Sequence, residues 1–239
     1  LGDLGGLASL AGVSLGGGVG EGKLAQEIMQ SWSFIEDFIE DNNLAVGAYA
    51  AVGWDRSSNQ IEVNNDLYDV SKNQWLVEDN HSGKFGPPSS WKLFKAFSNI
   101  LSVSEDKKTG LVEVSIEYYS PLIAKQWLDL YVAAINTHMQ KREMAKVSRN
   151  VEYLQAQIKK TSIAEMQDVF YTIIQEQIKN KMLAEASPEF AFDSVGPSMV
   201  PEEKSRPKRA LICIWGTLLG GMLSVLLVLG MHFGRKSAV

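Results

Sequence analysis

The segment from Leu122 to Lys160 constrains the fold more than any other, because it contains neither glycine nor proline over about 39 residues. Apolar residues recur along it at intervals of three and four, which is the spacing of one face of an α-helix. A helix of this length would extend roughly 58 Å, whereas helices of globular domains usually have only a few turns. We therefore predict one helix over residues 121–160, started by Pro121, that projects from its domain or spans it.

The apolar face of this helix requires a covering partner. Each large apolar side chain left in water would forgo roughly 1.5 to 3 kcal/mol. In one explanation, a second helix folds back on the first within one chain, starting where Ser162-x-x-Glu165 matches a capping box. In the other explanation, a neighbouring subunit covers the stripe. We predict an oligomer contact formed partly by Val147, Val151, Leu154 and Ile158.

Shorter elements precede and follow the long helix. Apolar spacing predicts an amphipathic helix over Leu24–Ile39, and the abundance of Asn, Ser, Asp and Gly in residues 55–88 predicts a loop with short helical pieces. A short helix is predicted after Pro88. Alternating apolar residues on both sides of Lys107–Gly110 predict a β-hairpin, and alternation in Phe190–Val195 predicts a strand. The expected fold class is α+β with a small mixed sheet.

A charge-free apolar segment lies near the C-terminus, between Ala210 and Phe233. As a helix it would be roughly 36 Å long, which is enough to cross a bilayer core of about 30 Å. We therefore predict a C-terminal transmembrane helix over residues 210–233, preceded by a proline-rich linker over residues 197–209 and followed by a tail over residues 234–239. Basic residues around the segment favour a cytoplasmic position for the large domain, although large domains are exported regardless of such charges.

Charge and composition argue against several classes of function. The net charge is −5 and the basic residues do not gather on one predicted face, so nucleic acid is not an expected partner. The three histidines lie far apart and the only cysteine is Cys213, so neither a zinc site nor a disulfide framework is expected. No Ser/His/Asp or Cys/His set has a supporting motif. We expect no catalytic, metal or cofactor-binding residue, and no enzymatic activity.

The stretch GGVGEGKL, residues 17–24, loosely matches a phosphate-binding loop. Such a loop requires a Ser or Thr after the lysine to hold magnesium, and Leu24 occupies that position. A buried strand should also precede the loop, whereas the preceding residues are rich in glycine and alanine. We therefore favour a flexible glycine-rich joint over residues 17–23 that leads into a helix starting near Leu24.

Several runs of residues resemble the Wzz-type O-antigen chain-length determinants, the class 1 polysaccharide co-polymerases of Gram-negative bacteria. The resemblance is carried by LAQEIMQSWSFIEDFIEDNNL, NILSVSEDKKTGLVEVSIEY and TSIAEMQDVFYTIIQEQIKNKMLAEA, and by the residues from Pro197 to Met222. Family members have a proline-rich approach to their second transmembrane helix, followed by Gly-Gly-Met inside it. Here Arg206 stands where the family often has serine. The linker and helix-packing motif comprises Pro197, Pro201, Pro207, Lys208, Gly216, Gly220, Gly221 and Met222.

The resemblance implies a location and a function. It places a membrane-anchored domain, residues 1–196, in the periplasm, with both termini cytoplasmic and a first transmembrane helix upstream of residue 1. The apolar residues 4–15 lack the basic region of a signal peptide, which agrees with further upstream sequence. Family members form rings, typically octamers, in the inner membrane. They set the modal length of the lipid-linked polysaccharide made by the Wzy polymerase, and no cofactor is implied.

Other readings of the resemblance stay open. The protein could regulate another Wzy-dependent glycan, such as enterobacterial common antigen, capsule or exopolysaccharide. It could be related to the membrane domain of the polysaccharide tyrosine autokinases, which carry a P-loop kinase after their second transmembrane helix. A third hypothesis is a membrane-tethered coiled-coil adaptor of export machinery, whose loss would abolish surface polysaccharide rather than alter its length.

Overall fold

The structure is a computed structural model that describes residues 19–78, 85–200 and 213–224. The chain divides into two units, Leu1–Val200 and Pro201–Val239. Helices described in the first unit are α1 (Val19–Met29), α2 (Trp32–Asp41), α3 (Ala45–Ala50), α4 (Ser90–Ser98), α5 (Pro121–Lys160) and α6 (Ala164–Glu185). Its strands are β1 (Ala51–Asp55), β2 (Gln60–Val63), β3 (Tyr68–Asp69), β4 (Gln74–Trp75), β5 (Val77–Glu78), β6 (Phe85–Gly86), β7 (Leu101–Glu105) and β8 (Val112–Ile116). In the second unit, a helix covers residues 213–224.

Ser31 divides the helix predicted over Leu24–Ile39 into α1 and α2. Its backbone is extended, with φ −75° and ψ 148°, and its Oγ accepts a hydrogen bond from the backbone N–H of Phe34. The same hydroxyl donates to the carbonyl of Ile28, 2.7 Å away, near the end of α1. One side chain therefore closes the first helix and caps the second, so an unbroken apolar spacing does not give an unbroken helix.

Within the described ranges, the strands form four separate two-stranded antiparallel sheets, so the prediction of one small mixed sheet is wrong. The hairpin predicted around Lys107–Gly110 is confirmed as β7 and β8, with Leu101 opposite Ile116. Gly110 has a φ of +72°, a left-handed conformation that glycine adopts without steric cost. Local turn chemistry thus fixes the register of the one hairpin that the sequence predicts.

The prediction of a loop with helical pieces over residues 55–88 is wrong, because this segment forms three short hairpins, β1–β2, β3–β4 and β5–β6. In the first two, an aspartate opens the turn and an asparagine with a left-handed φ closes it four residues later. Asn59 and Asn73 have φ of 53° and 52°. Hydrogen bonds from serine side chains lower the pKa of Asp55 and that of Asp69 to about 2. Asp, Ser and Asn are here the residues of β-turns.

The core of the larger unit lies where α2, α4 and the first half of α5 meet. Tyr131 is fully buried there, with the rings of Phe34, Phe38 and Phe97 at centroid distances of 5.4, 4.8 and 5.6 Å. The hydroxyl of Tyr131 donates to the backbone carbonyl of Met29, so the buried oxygen has a partner. Burial raises the pKa of Tyr131. This aromatic cluster anchors α5 to the helices that precede it.

Gly47 in α3 is pressed against α5, and its carbonyl accepts a 2.6 Å hydrogen bond from the Tyr118 hydroxyl. A Cβ at this position would lie 2.9 Å from Cζ2 of Trp127 and 3.3 Å from the Tyr118 hydroxyl oxygen. We expect Gly47→Ala to lower the free energy of unfolding by about 1–3 kcal/mol, because a packed ring must shift to make room. Urea denaturation followed by circular dichroism measures this change.

The matched control for Gly47→Ala is Gly22→Ala. Gly22 lies in α1, and a Cβ added to it would meet no atom within 4 Å. Alanine there should leave the free energy of unfolding unchanged or raise it by up to about 1 kcal/mol, because alanine favours helix. Equal effects of the two substitutions would show that the contact with Trp127 does not limit the space at Gly47.

The long helix predicted over residues 121–160 is confirmed as α5, which has 40 residues. Ser120 caps its start by accepting a hydrogen bond from the backbone N–H of Ile123, and Pro121 takes the first helical position. The second helix folds back along the second half of α5, as one of the two explanations for the apolar stripe requires. Lys181 of α6 donates to the hydroxyl of Ser148, 3.2 Å away.

The capping box predicted at Ser162–Glu165 is not formed. Ile163 takes the N-cap position of α6 and provides no side-chain capping bond. Gln167 instead ties the two helices together, because its Nε2 donates to the carbonyl oxygens of Ile158 at 3.3 Å and Thr161 at 2.7 Å. The turn between α5 and α6 is therefore stabilised by hydrogen bonds to carbonyl groups at the C-terminal end of α5. The first N–H groups of α6 receive no side-chain cap.

The strand predicted over Phe190–Val195 is absent; these residues are described as bends and irregular chain. The side-chain amide of Asn136 takes the place of a neighbouring strand. Its Oδ1 accepts from the backbone N–H groups of Ala191 and Phe192, and its Nδ2 donates to the carbonyl of Phe192 at 3.1 Å. Three hydrogen bonds from one buried side chain thus hold this segment against α5.

The prediction of a C-terminal transmembrane helix over residues 210–233 is overturned. In the part of the chain that the structure describes, no helix combines the length and the apolar composition needed to cross a membrane. Residues 201–212 of the predicted linker and helix, and residues 225–239, lie outside the described ranges. The fold class is α+β, with a long helix and small sheets.

Candidate functional site

A cleft of about 900 Å³ lies in the first unit. It is bounded by α1, the β7–β8 hairpin, the first half of α5 and the irregular segment over residues 188–198. Five carboxylates and one lysine are among its lining groups, so its charge is predominantly negative. These residues are Lys23, Glu105, Glu113, Asp129, Glu189 and Asp193.

Two polar residues of α5 hold the wall of the cleft in place. Asn136 binds the backbone at Ala191 and Phe192, as described above. Asp129 accepts a hydrogen bond from the hydroxyl of Ser198 at 2.5 Å and one from Lys125 Nζ at 2.7 Å. Lys125, followed by Ser198, lowers the pKa of Asp129 below its ordinary value of 3.8. The hydrogen bonds to ionised Asp129 therefore stabilise the fold above pH 3.8. This contribution is lost as the pH falls through the lowered pKa.

The clear pKa changes among the described residues lead away from neutral pH. The aspartates with a clear change, among them Asp129, have a lowered pKa, and burial raises the pKa of Tyr118 and that of Tyr131. His138 packs edge-on against Phe34 with ring centroids 5.4 Å apart. Within the described ranges, no three His, Cys, Asp or Glu side chains gather where they could hold a metal ion. The polar contacts that the cleft does show, those of Asn136 and Asp129, support its wall.

The described part of the glycine-rich stretch over residues 17–24 is helical, which differs from both structures considered for it, a phosphate-binding loop and a flexible joint. Helix α1 begins at Val19, so Gly22 and Lys23 already belong to the helix. Neither a phosphate-binding loop nor a flexible joint is formed over residues 19–23, while residues 17 and 18 lie outside the described ranges. Lys23 is exposed at the edge of the cleft.

The stripe predicted as an oligomer contact faces α6 in part. Val147 is only 1% exposed, because the fold-back helix packs along this half of α5. As a contact for a neighbouring subunit, Val147 is therefore corrected to a residue buried within the chain. Val151, Leu154 and Ile158 are half-buried, and their part in an oligomer stays a prediction.

The outward face of the α5–α6 hairpin carries a group of exposed large side chains that the sequence reading missed. The group comprises Tyr153, Tyr171, Ile178, Met182 and Leu183. A signal for it exists in the sequence, because α6 has more apolar residues than the single face that packs on α5 can use. Tyr171, Ile178 and Met182 follow one another at spacings of seven and four, which places them on one side of the helix.

The residues of the linker and helix-packing motif are exposed wherever they are described. Pro197 is exposed at the end of the first unit, and Pro201, Pro207 and Lys208 lie outside the described ranges. A Cβ added at Gly216, Gly220 or Gly221 would meet nothing within 4 Å, and Met222 is exposed. The structure thus brings no second element onto this face of the helix over residues 213–224, within the described part of its unit.

Comparisons with known proteins add no assignment. No protein-family model matches the chain. The search of curated proteins found no relative either. The resemblance described in the sequence analysis is therefore a hypothesis about function.

Proposed function

We propose that the protein is a non-enzymatic regulator of polysaccharide chain length, acting as a homo-oligomeric scaffold. In its most specific form, the proposal is that it sets the modal length of the O-antigen of lipopolysaccharide, together with the Wzy polymerase and lipid-linked polysaccharide. It would work at the bacterial inner membrane with residues 1–196 in the periplasm. The resemblance to the Wzz-type chain-length determinants supports this choice of polymer, partner and location.

The observation that carries the scaffold proposal is the outward apolar surface of the α5–α6 hairpin. Four of its five large side chains are more than half exposed, and the fifth, Ile178, is 45% exposed. Exposed apolar side chains that cluster on one element mark a surface for protein contact, whereas scattered ones do not. A second copy of the chain presents the same surface, so self-association would bury it on every subunit.

The chemistry of the first unit is compatible with a scaffold. Its cleft is lined by apolar side chains together with five carboxylates. The pKa of one of these carboxylates, Asp129, is lowered, which makes it a weak base. The long helix instead provides reach, because 40 residues extend about 60 Å. A protein of this form would act on a polymerase through its surface and its assembly.

The experiment is a deletion strain complemented with variants of the full chain. Under the proposal, deletion changes the length distribution of the lipopolysaccharide ladder on a gel, and the wild-type gene restores it. Tyr171→Ser combined with Met182→Ser should fail to restore it and should reduce the oligomer in sedimentation experiments. The matched control is Val70→Ser combined with Val52→Ser, two exposed apolar residues outside α5 and α6.

The outcomes separate the alternatives. An unchanged ladder with altered capsule or common antigen would overturn the O-antigen assignment in favour of another glycan. Complete loss of surface polysaccharide on deletion would favour an adaptor of export machinery. A hairpin variant with a normal ladder and a normal oligomer would show that the outward apolar surface has no part in regulation.

A further inference from the structure

Two tryptophans at the surface form a rigid aromatic cluster outside the cleft. Trp32 starts α2 and Trp91 lies in the first turn of α4, and they are 47% and 46% exposed. Their ring centroids are 5.4 Å apart with planes at 65°. Phe94 lies behind both, 6.5 Å from the ring of Trp32 and 5.3 Å from that of Trp91. Tryptophan seldom leaves so much of its large apolar ring in water, and here two do so side by side.

The orientation of both rings is fixed by contacts within the chain. The indole Nε1 of Trp32 donates to the hydroxyl of Ser90 at 2.5 Å. The ammonium of Lys95 lies 5.1 Å from the centroid of the Trp91 ring, in a cation–π contact. Because the rings are already held in place, a ligand that stacks on them would cost little side-chain entropy. The cluster is therefore organised before any ligand arrives.

The chemistry of this surface fits a sugar ring. The face of an indole carries partial negative charge, so it attracts groups with a partial positive charge, as Lys95 shows. The C–H groups on one side of a pyranose form an apolar, slightly positive face, while its hydroxyls lie around the rim. The hydroxyl of Ser90 lies at the edge of the Trp32 indole, and the ammonium of Lys95 lies over one face of Trp91. Both groups can donate hydrogen bonds to such hydroxyls.

We propose that Trp32 and Trp91 form a stacking platform for the pyranose units of a glycan chain. The platform is carried by the geometry of the cluster, and the identification of its natural ligand as the regulated polysaccharide rests on the proposed function. Because every pyranose has an apolar side, stacking on the two rings does not depend on the order of sugars in the glycan chain. Such a site would hold a growing chain without selecting one particular sugar.

The charges around the platform favour a glycan over a lipid surface. Helix α2 carries four carboxylates and no basic residue, and α4 carries Lys92 and Lys95, which leaves the two helices with a charge of −2. Bacterial bilayers attract basic surfaces because their headgroups include anionic lipids. The net negative charge of these two helices works against that attraction, whereas a neutral polyhydroxylated chain is indifferent to it.

Affinity gel electrophoresis of the full-length protein tests the proposal. Two probes are cast into native gels: dextran, and the polysaccharide released by mild acid from the lipopolysaccharide of the producing cells. The wild-type protein should be retarded by at least one probe. Trp32→Ala combined with Trp91→Ala should raise the dissociation constant at least tenfold, and Trp91→Phe, which retains an aromatic face, should bind with intermediate affinity.

The matched control is Trp54→Ala. Trp54 is a half-buried surface tryptophan in β1 with its own cation–π partner, Arg56, and its loss should leave glycan binding unchanged. Circular dichroism verifies that each variant is folded. Equal binding by the wild type and the double variant would overturn the platform, as would failure of both probes to retard the wild type.

Four further outcomes are decisive. Binding of the wild type to anionic vesicles but to neither glycan would assign the cluster to a lipid surface instead. Dissociation of the oligomer by the double variant, with unchanged glycan affinity, would assign it to a subunit contact. If the double variant loses glycan binding in vitro but deletion of the gene leaves every ladder unchanged, the platform stands and the proposed function fails. If the ladder depends on the gene but the double variant binds glycan as well as the wild type does, the proposed function stands and the platform fails.

Discussion

Replacing Phe97 by alanine should lower the free energy of unfolding by about 3–5 kcal/mol, the range for deleting a large buried aromatic side chain. Phe97 is fully buried at the point where α4 meets α5. Its ring lies 5.4 Å from that of Phe38, 6.2 Å from Trp127 and 5.6 Å from Tyr131. Alanine would leave a cavity that these rings, each fixed by other contacts, cannot fill. Urea denaturation at constant pH measures the loss.

The control for this prediction is the same substitution at an exposed position. Phe85 is 64% exposed, so Phe85→Ala should change the free energy of unfolding by no more than about 0.5 kcal/mol. A decrease of less than about 1 kcal/mol for Phe97→Ala would mean that the aromatic core collapses readily around the missing ring, contrary to the rigid packing described above.

Asn136→Ala should lower the free energy of unfolding by about 2–4 kcal/mol and release the segment over residues 188–198. The substitution removes the three hydrogen bonds that the Asn136 side chain makes with the backbone of Ala191 and Phe192. Two N–H groups and one carbonyl would then lose their partners. Cleavage after Phe190 and Phe192 by chymotrypsin under native conditions should accelerate, because no strand holds this segment in place.

Asn136→Asp separates the two kinds of hydrogen bond that Asn136 makes. Aspartate keeps an acceptor for the N–H groups of Ala191 and Phe192 but places a second oxygen against the Phe192 carbonyl, where the amide nitrogen donates. We expect stability and chymotrypsin sensitivity between those of wild type and Asn136→Ala. The neighbouring exposed residue provides a control, since Thr137→Ala should leave both unchanged. Slow cleavage in Asn136→Ala would mean that other contacts hold the segment.

Elements with a strong local signal can be predicted from this sequence. The long helix is predictable from the spacing of its apolar residues and the absence of Gly and Pro. The hairpin around Gly110 is predictable from the alternation of apolar and polar residues and from its turn residue. The helix over Leu24–Ile39 fails because apolar spacing does not reveal that Ser31 caps a new helix. The strand over Phe190–Val195 fails because its backbone partner is a side chain, Asn136, that lies 55 residues away.

The candidate sites depend on contacts between distant parts of the chain, which explains why the sequence reading missed them. Trp32 and Ser90, which meet in the aromatic platform, are 58 residues apart. The cleft combines α1, β8, α5 and residues 188–198, so no single window of sequence contains it. Hydropathy over residues 210–233 reports apolar composition alone, and within the described residues no helix is both long and apolar enough to cross a membrane.

The α5–α6 hairpin becomes less stable with distance from the core. Between Val147 and Ile174 no residue is fully buried, so in the described part of the chain the tip of the hairpin is a single layer formed by the two helices. Amide hydrogens of residues 150–170 should therefore exchange with solvent through local opening, well before those around Tyr131, whose exchange requires global unfolding. The tip can separate, rearrange and close again while the aromatic core stays intact, which makes it the part of the molecule best suited to adapt its shape to whatever it meets.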